Sequence, residues 1–290
     1  TADPDFNVQE KQYLAQAKLL KNLMAEYGVK LGWGTENLFS DPMYAQGSLN
    51  SPYPWVAARS GAEIKLMLEI TGMLDGESYV LWGGRVGYRS LVVNNMEKEL
   101  DNMAHLYRAI VDYKKANFPS IQLLEEPKAK EPTIFQYSRD AATCLNFFRK
   151  IGVYDDFKLN IEGNHAELAG LTLEHELYVA RINGGKIGGI DANSGVPMVG
   201  WDADRYHENF VDALLGWRQV DLQGGLGKAV INHDAKPRRE SITIQEKVIG
   251  HIMAQDLWAK ALLTVEKMKQ DGVMDKMLND KYLGYQTEDM

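Results

Sequence analysis

The sequence predicts an α/β protein of the TIM-type (β/α) barrel class, incomplete in this chain, with about six parallel strand–helix units. Short apolar runs alternate with longer segments of helical spacing, and no low-complexity linker separates them. The 290 residues, 45% of them hydrophobic, suffice for one large core. We therefore expect a single β/α barrel-type domain over residues 1–290.

The predicted elements follow one another regularly. The first helix, 7–27, has Tyr13, Ala17, Leu20 and Met24 on one face, and Gly28 ends it. Further helices are expected over 54–71, 96–117, 138–151, 171–182, 208–222 and 244–269. Strands are expected in VKLGWGT, YVLWGG, IQLLEE, FKLNIE, GGID and KAVINHD. This alternation predicts a parallel sheet buried on both faces. A closed barrel of this class has eight strands, so the count predicts that two units are absent from this chain.

The composition of the chain limits the classes of partner that it is expected to bind. The formal net charge is −8, with acids spread along the chain, and phosphate backbones need a basic footprint, so we expect no nucleic acid. The only cysteine, Cys144, lies in a predicted helix and is expected to be a buried, inert thiol. No apolar run could span a bilayer and no signal peptide is recognisable. We expect a cytoplasmic protein without a membrane partner.

Acidic side chains recur where the predicted strands end. Glu126, Glu162, Asp191 and Asp234 occupy this position in four successive strands. The carboxyl ends of parallel strands share one face, so these carboxylates should meet there. They would repel one another unless cations neutralised them. The alternative is that each acid caps a helix or pairs with a lysine; it explains one such acid well but four poorly.

Three further residues complete a predicted ligand set for two divalent cations. Glu162 and His165 lie three apart at a strand end, where a loop can direct both inward. Asp202 and Asp204 flank Ala203, and alternate residues of an extended loop point the same way. Oxygen-rich ligation with one histidine favours magnesium, manganese or cobalt over structural zinc.

Lys128 and two tryptophans are the remaining candidates. Lys128 follows Glu126 by two residues and could polarise a substrate carbonyl, although a salt bridge to Glu131 is an equal alternative. Trp82 and Trp33 end the preceding strands, where they could wall off a sugar or pack in the core. The stretches QGGLGKA and NGGKIGG precede strands instead of following them, so no nucleotide site is expected.

Five segments stand out in order: YVLWGGRVGY, EEPKAKEPT, KLNIEGNHAELAG, IDANSGVPMVGWDAD and NHDAKPRRES. In order and spacing they resemble the signature segments of xylose isomerase, the longer bacterial type, and WGTENLFSDPMY resembles the family's third-strand segment. The resemblance implies a β/α barrel, usually tetrameric, that converts D-xylose to D-xylulose and D-glucose to D-fructose. It further implies two magnesium, manganese or cobalt ions, a small sugar substrate and a homo-oligomer, either a dimer or a tetramer.

The resemblance also assigns roles by position. The first metal would be held by Glu126, Glu162, Asp191 and Asp234. The second would be held by Glu162, His165, Asp202 and Asp204, with Glu162 bridging. Lys128 and Trp82 would be catalytic, because Lys128 steadies the carbonyl oxygen at the first carbon and Trp82 shields the path of the hydride. The substrate would be bound by Trp33, Thr35, Trp82 and Lys128.

The sequence also differs from the resembled family at several points. Relative to it, this chain lacks the first two barrel units, with a histidine that assists ring opening, and the long C-terminal tail. Glu125 and Glu36 replace a usual apolar and a usual small residue. The leading prediction is a metal-dependent aldose–ketose isomerase. The alternative is a catalytically impaired, metal-binding barrel fragment that assembles with itself or with a second chain that completes it.

Overall fold

A computed structural model describes residues 5–228, 230–237 and 242–285. The α-helices are α1 (Phe6–Tyr27), α2 (Pro54–Met73), α3 (Met96–Asn117), α4 (Ala141–Ile151), α5 (Gly163–Leu168), α6 (Leu173–Ile182), α7 (Phe210–Gln223), α8 (Ile244–Asp271) and α9 (Val273–Lys281). The strands are β1 (Trp33–Gly34), β2 (Ser78–Leu81), β3 (Gly87–Tyr88), β4 (Gln122–Glu125), β5 (Phe135–Gln136), β6 (Phe157–Glu162), β7 (Ile187–Asp191), β8 (Asn193–Ser194), β9 (Arg205–Tyr206) and β10 (Ile231–Asn232). None of the helices in these ranges is long and apolar enough to cross a membrane.

In the described part of the chain, six strands form one parallel sheet in the order β1-β2-β4-β6-β7-β10. This confirms the predicted fold class, with six parallel strand–helix units. The order follows the chain, since within the described ranges β3 and β5 pair only with each other, as do β8 and β9. Consequently all six carboxyl ends face the same way, which sets the place of the acids that end these strands.

The core fills the layer between the sheet and its helices. Phe148 of α4 stacks on Phe157 of β6 with ring centroids 4.6 Å apart, and Tyr107 of α3 lies 5.5 Å from the same ring. All three side chains are buried. Cys144 is also buried there as a free thiol, as predicted, and burial raises its pKa. This packing fixes β6, the strand that carries Glu162, from its outer face.

The seven predicted helices agree with observed ones to within a few residues, whereas α5 was not predicted and the two edge strands are much shorter than predicted. VKLGWGT yields only β1 and KAVINHD only β10, with Ala229 outside the described residues. Both are edge strands in this sheet, so each has one pairing neighbour among the described residues. The predicted helix over 244–269 ends at Gly272, whose left-handed backbone (φ 64°) starts a further helix, α9, that was not predicted.

Candidate metal centre

The predicted ligands come from strand ends and from the loops that follow them. Glu162 and Asp191 are the last residues of β6 and β7, while Glu126 and Asp234 lie just beyond β4 and β10. β6 turns directly into α5, which brings His165 back over the strand end. Gly163 permits this turn, because a Cβ there would lie 2.2 Å from the carbonyl oxygen of Asn193. A larger residue would push α5, and with it His165, away from the acids.

All seven predicted ligands fall into three clusters that share Glu162. In each cluster one ligand atom per residue lies within 4.8 Å of the others. The clusters are Glu126 with Glu162 and His165, Glu162 with Asp191 and Asp234, and Glu162 with Asp202 and Asp204. A carboxylate common to all three is the geometry that a bridging ligand requires. The resemblance grouped His165 with Asp202 and Asp204; here its nearest ligand atoms include Glu126 as well.

His165 is surrounded by carboxylates. Its Nδ1 lies 3.2 Å from Oε2 of Glu162 and 3.4 Å from Oε1 of Glu126, and its Nε2 lies 3.4 Å from Oδ2 of Asp202. Nδ1 is fully buried and has no hydrogen-bond partner among the residues that the structure describes. Burial lowers the pKa of the imidazole, which favours the neutral form that binds metals. A buried nitrogen without a hydrogen bond, facing two carboxylates, suits a cation placed between them.

The pKa values of the acids reflect their crowding. Burial raises the pKa of Glu126 and of Glu162 well above the usual range, and neighbouring carboxylates raise both further. Burial and the charge of Asp234 raise the pKa of Asp191 to about 6. Asp202 differs: burial opposes its ionisation, but His165 and Lys128 together lower its pKa. Divalent cations would offset this repulsion, so the donor set fits them chemically.

Four asparagines hold the acids in position. Asn160 donates to Oε2 of Glu126 (3.0 Å) and to Oδ2 of Asp191 (2.8 Å). Asn193 donates to Oε1 of Glu162 at 2.8 Å, Asn232 to Oδ1 of Asp191 at 3.1 Å, and Asn164 to Asp202. Sequence reasoning missed them, although Asn160 and Asn232 each precede an acid by two residues, and so share its strand face. Such partners orient metal ligands and hold their charge.

Lys128 reaches the centre from the loop after β4. Its Nζ lies 2.8 Å from Oδ2 of Asp202 and 3.7 Å from Oε2 of Glu131. The lysine therefore both reaches the candidate ligands and lies within ion-pair distance of Glu131, the two alternatives that the sequence left open. It also lies 5.0 Å from the ring centroid of Trp82. Trp82 stacks over the imidazole of His165, with centroids 6.4 Å apart and planes 10° from parallel. Phe39 meets Trp82 edge-on at 4.7 Å and holds it in place.

A cavity of about 1150 Å³ opens onto these groups. Its lining includes all four predicted substrate-binding residues, Trp33, Thr35, Trp82 and Lys128. Six of the predicted ligands line it as well, whereas Asp191 lies beneath them and is 1% exposed. Lys236 was not predicted: its Nζ binds Oδ2 of Asp204 at 2.7 Å and lies 3.4 Å from Oδ1 of Asp234. The motif NHDAKPRRES is described only as far as Pro237, because residues 238–241 lie outside the described ranges.

Glu125 and Glu36, the two acids that depart from the resembled family, both accept hydrogen bonds from neighbouring hydroxyl groups. Tyr107 and Ser138 donate to Glu125, and Tyr79 donates to Glu36. Burial raises the pKa of Glu125 to about 7 and that of Glu36 to about 8. Since neutral carboxyls tolerate burial, neither residue needs a cation.

Fold and site together define a class: a parallel β/α sheet of the TIM-barrel kind that carries a carboxylate-rich candidate metal centre at its carboxyl ends. Over 91% of its length the chain is similar to xylose isomerases. It is 44% identical over 265 residues to that of Thermotoga neapolitana and 42% identical over 264 residues to that of Bacillus cereus. The chain spans about 60% of the length of these relatives. No protein-family model matches it.

Solved structures agree on the fold. A D-tagatose 3-epimerase-like protein superposes with a TM-score of 0.65 at 16% identity, over 87% of this chain and 84% of that one. A xylose isomerase domain protein from Alicyclobacillus acidocaldarius gives 0.62 at 12% identity, over 88% and 86%. At such identities these neighbours establish a shared TIM-barrel-type architecture and nothing finer.

Proposed function

We propose that this chain carries the metal-binding centre of an aldose–ketose isomerase of the xylose isomerase type. The observation that carries the proposal is Glu162, which belongs to every one of the three ligand clusters. Its surroundings support an isomerase centre, since Lys128 and Trp82 lie beside the same acids within one cavity large enough for a sugar. The similarity to xylose isomerases over 91% of the chain supports the same reading.

In the proposed reaction the hydrogen on the second carbon of an aldose moves with its electron pair to the first carbon. The hydroxyl proton on the second oxygen passes to the first, so no outside oxidant or reductant is needed. Two divalent cations (magnesium, manganese or cobalt), when bound, would supply Lewis acidity and a template for the sugar oxygens. Glu126, Glu162, Asp191 and Asp234 would hold one, and Glu162, His165, Asp202 and Asp204 the other.

The chain's own side chains would then position the sugar. The ammonium of Lys128, 4% exposed and already directed at the centre, would donate to the carbonyl oxygen at the first carbon. The ring of Trp82 would cover the two reacting carbons and exclude water from them. Trp33 and Thr35, which also line the cavity, would contact the rest of the sugar.

The experiment is conversion of D-xylose by the purified chain with magnesium, manganese or cobalt. Xylose with deuterium at the second carbon tests the route, because direct transfer retains the label at the first carbon of xylulose. We expect Glu162→Gln to lower metal affinity and turnover at least about a hundredfold, since it keeps the size of the side chain and removes the shared charge. Glu266→Gln, on the exposed face of α8, is the matched control. Full metal binding without turnover would refute the proposal for this chain.

A second candidate is favoured by the open sheet. Among the described residues β1 and β10 each pair with one neighbour, so both sheet edges offer unpaired backbone groups. In this reading the chain is a metal-binding barrel fragment, without turnover alone, that assembles with itself as a dimer or tetramer or with a second chain. Light scattering with and without magnesium separates the two, because a folded, active monomer would exclude assembly as a requirement.

A further inference from the structure

A second polar cavity lies at the amino-terminal ends of the strands, at the opposite end of the sheet from the acids. Its volume is about 190 Å³. It is lined by the first residues of β2 and β4, by early residues of β6 and β7, and by the loops before β4 and β10. Three lysines contribute to it, Lys114, Lys158 and Lys228, and none of the described lining residues is acidic.

Two of the lysines are fixed side by side. Nζ of Lys114 donates to the carbonyl oxygen of Pro119 at 2.9 Å, and Nζ of Lys228 donates to that of Ser120 at 3.1 Å. Because these carbonyls are consecutive in the chain, the two ammonium groups are held near each other. Burial lowers the pKa of Lys114, and the charge of Lys228 contributes to the shift. The arrangement concentrates positive charge at one wall of the cavity.

Lys158 approaches the cavity from within the sheet. It precedes Asn160 by two residues and Glu162 by four in β6, so all three share the strand face that carries the metal-centre acids. The pairing of β6 with β7 skips Gly188, which is an extra residue in β7. A Cβ at Gly188 would lie 2.6 Å from Cβ of Lys158, so the glycine makes room for the lysine. Among the described residues, the ammonium of Lys158 has no hydrogen bond or ion pair.

The carboxylate whose charge acts on Lys114 is paired with a lysine outside the cavity lining. Asp156, whose charge acts on Lys114, lies 2.7 Å from Nζ of Lys115. Three lysines around a small cavity without a lining carboxylate repel one another, and the repulsion costs stability unless an anion offsets it. Ser120 and Gln122 in the same lining add polar atoms. Since a water occupies about 30 Å³ in the liquid, the cavity has room for a tetrahedral oxyanion and a few waters.

We propose that this cavity binds a phosphate group, either as inorganic phosphate or as the phosphate of a phosphorylated small molecule. Lys114 and Lys228 would contact it from the rim and Lys158 from the floor, as point-charge donors. The site is separate from the metal centre and independent of the proposed isomerase activity. Bound phosphate would tie the loops before β4 and β10 to β6.

The test is calorimetric titration of the whole chain with inorganic phosphate and with sulfate, at constant ionic strength and with a chelator present. The chelator removes divalent cations, so phosphate bound at the metal centre does not contribute. We expect saturable binding near one equivalent. Affinity should fall about tenfold in Lys158→Met and in Lys228→Gln, the loss expected for one charge-assisted contact. Lys98→Met, an exposed lysine at the other end of α3, should bind like the original chain.

A sugar phosphate and the same sugar without phosphate distinguish the two sources. Tighter binding of the sugar phosphate than of inorganic phosphate assigns the site to a phosphorylated metabolite, and equal binding assigns it to free phosphate; either result supports the site. The proposal is overturned if chloride at equal ionic strength reproduces the heat. It is also overturned if Lys228→Gln, an exposed change that leaves folding intact, binds as tightly as Lys98→Met.

Discussion

Replacing Glu176 with glutamine should make the protein more stable, and only above about pH 5. Glu176 lies in α6, is 3% exposed, and accepts a hydrogen bond from the backbone N–H of Ala141 at 2.7 Å, at the start of α4. Burial raises its pKa from 4.5 to about 7, although the bond from Ala141 opposes the shift. The folded protein therefore favours the neutral carboxyl, while the unfolded chain ionises more readily.

The sign and the size of the expected change in the free energy of unfolding follow from this difference in pKa. Because the pKa of Glu176 is raised in the folded protein, the contribution of its neutral carboxyl to the free energy of unfolding is fully present below pH 4.5. That contribution is lost as the pH rises through 7. The gap between 4.5 and about 7, at about 1.4 kcal/mol per pH unit, gives about 3 kcal/mol as an upper bound. Glutamine is neutral at every pH, and its amide oxygen can still accept the Ala141 N–H. Glu176→Gln should thus gain up to about 3 kcal/mol at pH 8 and nothing at pH 4.

The assay is urea unfolding of both proteins between pH 4 and pH 8, with divalent cations removed and equal slopes required. Glu266→Gln, the same substitution at an exposed position, should leave the free energy of unfolding unchanged at both pH 4 and pH 8. A gain that is the same at pH 4 and pH 8 would show that charge is not its cause. A variant less stable than the original at pH 8 would refute the raised pKa itself.

Two further predictions concern the sheet interior. Asn160→Ala should weaken metal binding about 10- to 100-fold, because it removes the donor that aligns Glu126 with Asp191; calorimetric titration with magnesium or manganese checks this, and unchanged affinity would contradict it. Gly188→Ala should cost about 1–3 kcal/mol in urea unfolding, because its Cβ would lie 2.4 Å from Cδ2 of Leu124. Gly284→Ala, which meets nothing within 4 Å, should be neutral, and equal losses in the two would sink the steric explanation.

The fold was predictable because each strand–helix unit has its own local pattern. Interior strands have apolar residues on the face that packs against the helices, and the predicted strand FKLNIE coincides with β6. The edge strands were less predictable, since β1 and β10 are defined only by the residues that find a partner. The break at Gly272 depends on one backbone conformation inside a long helical pattern. Local sequence therefore fixes the type of an element more firmly than its ends.

The candidate site divides in the same way. The six acids and one histidine of the candidate site could be singled out from the sequence, because charged groups at the ends of apolar runs are costly to bury unless something compensates their charge. The asparagines were not, since an amide in a strand has no distinctive pattern and its partner comes from another strand. The partner of Glu125 was equally hidden: Tyr107 lies 18 residues away on α3 and meets Glu125 only when that helix packs on β4. Contacts that depend on packing between elements leave no local signal.

Strand β6 explains how one sheet presents opposite charges at its two ends. Its inward residues at every second position are Lys158, Asn160 and Glu162. Glu162, at the carboxyl end of β6, lies among carboxylates that favour cations. Lys158, near the amino end of β6, lines a cavity with two other lysines that favour an anion. Asn160, between them, is neutral and donates upward to Glu126 and Asp191. If both ends bind their ions, exchanging Lys158 should leave metal affinity unchanged, because one layer of neutral side chain, that of Asn160, and about 12 Å or more of strand separate the charges. Magnesium affinity measured in Lys158→Met decides the matter, and a change of more than about threefold would show that the two ends are coupled.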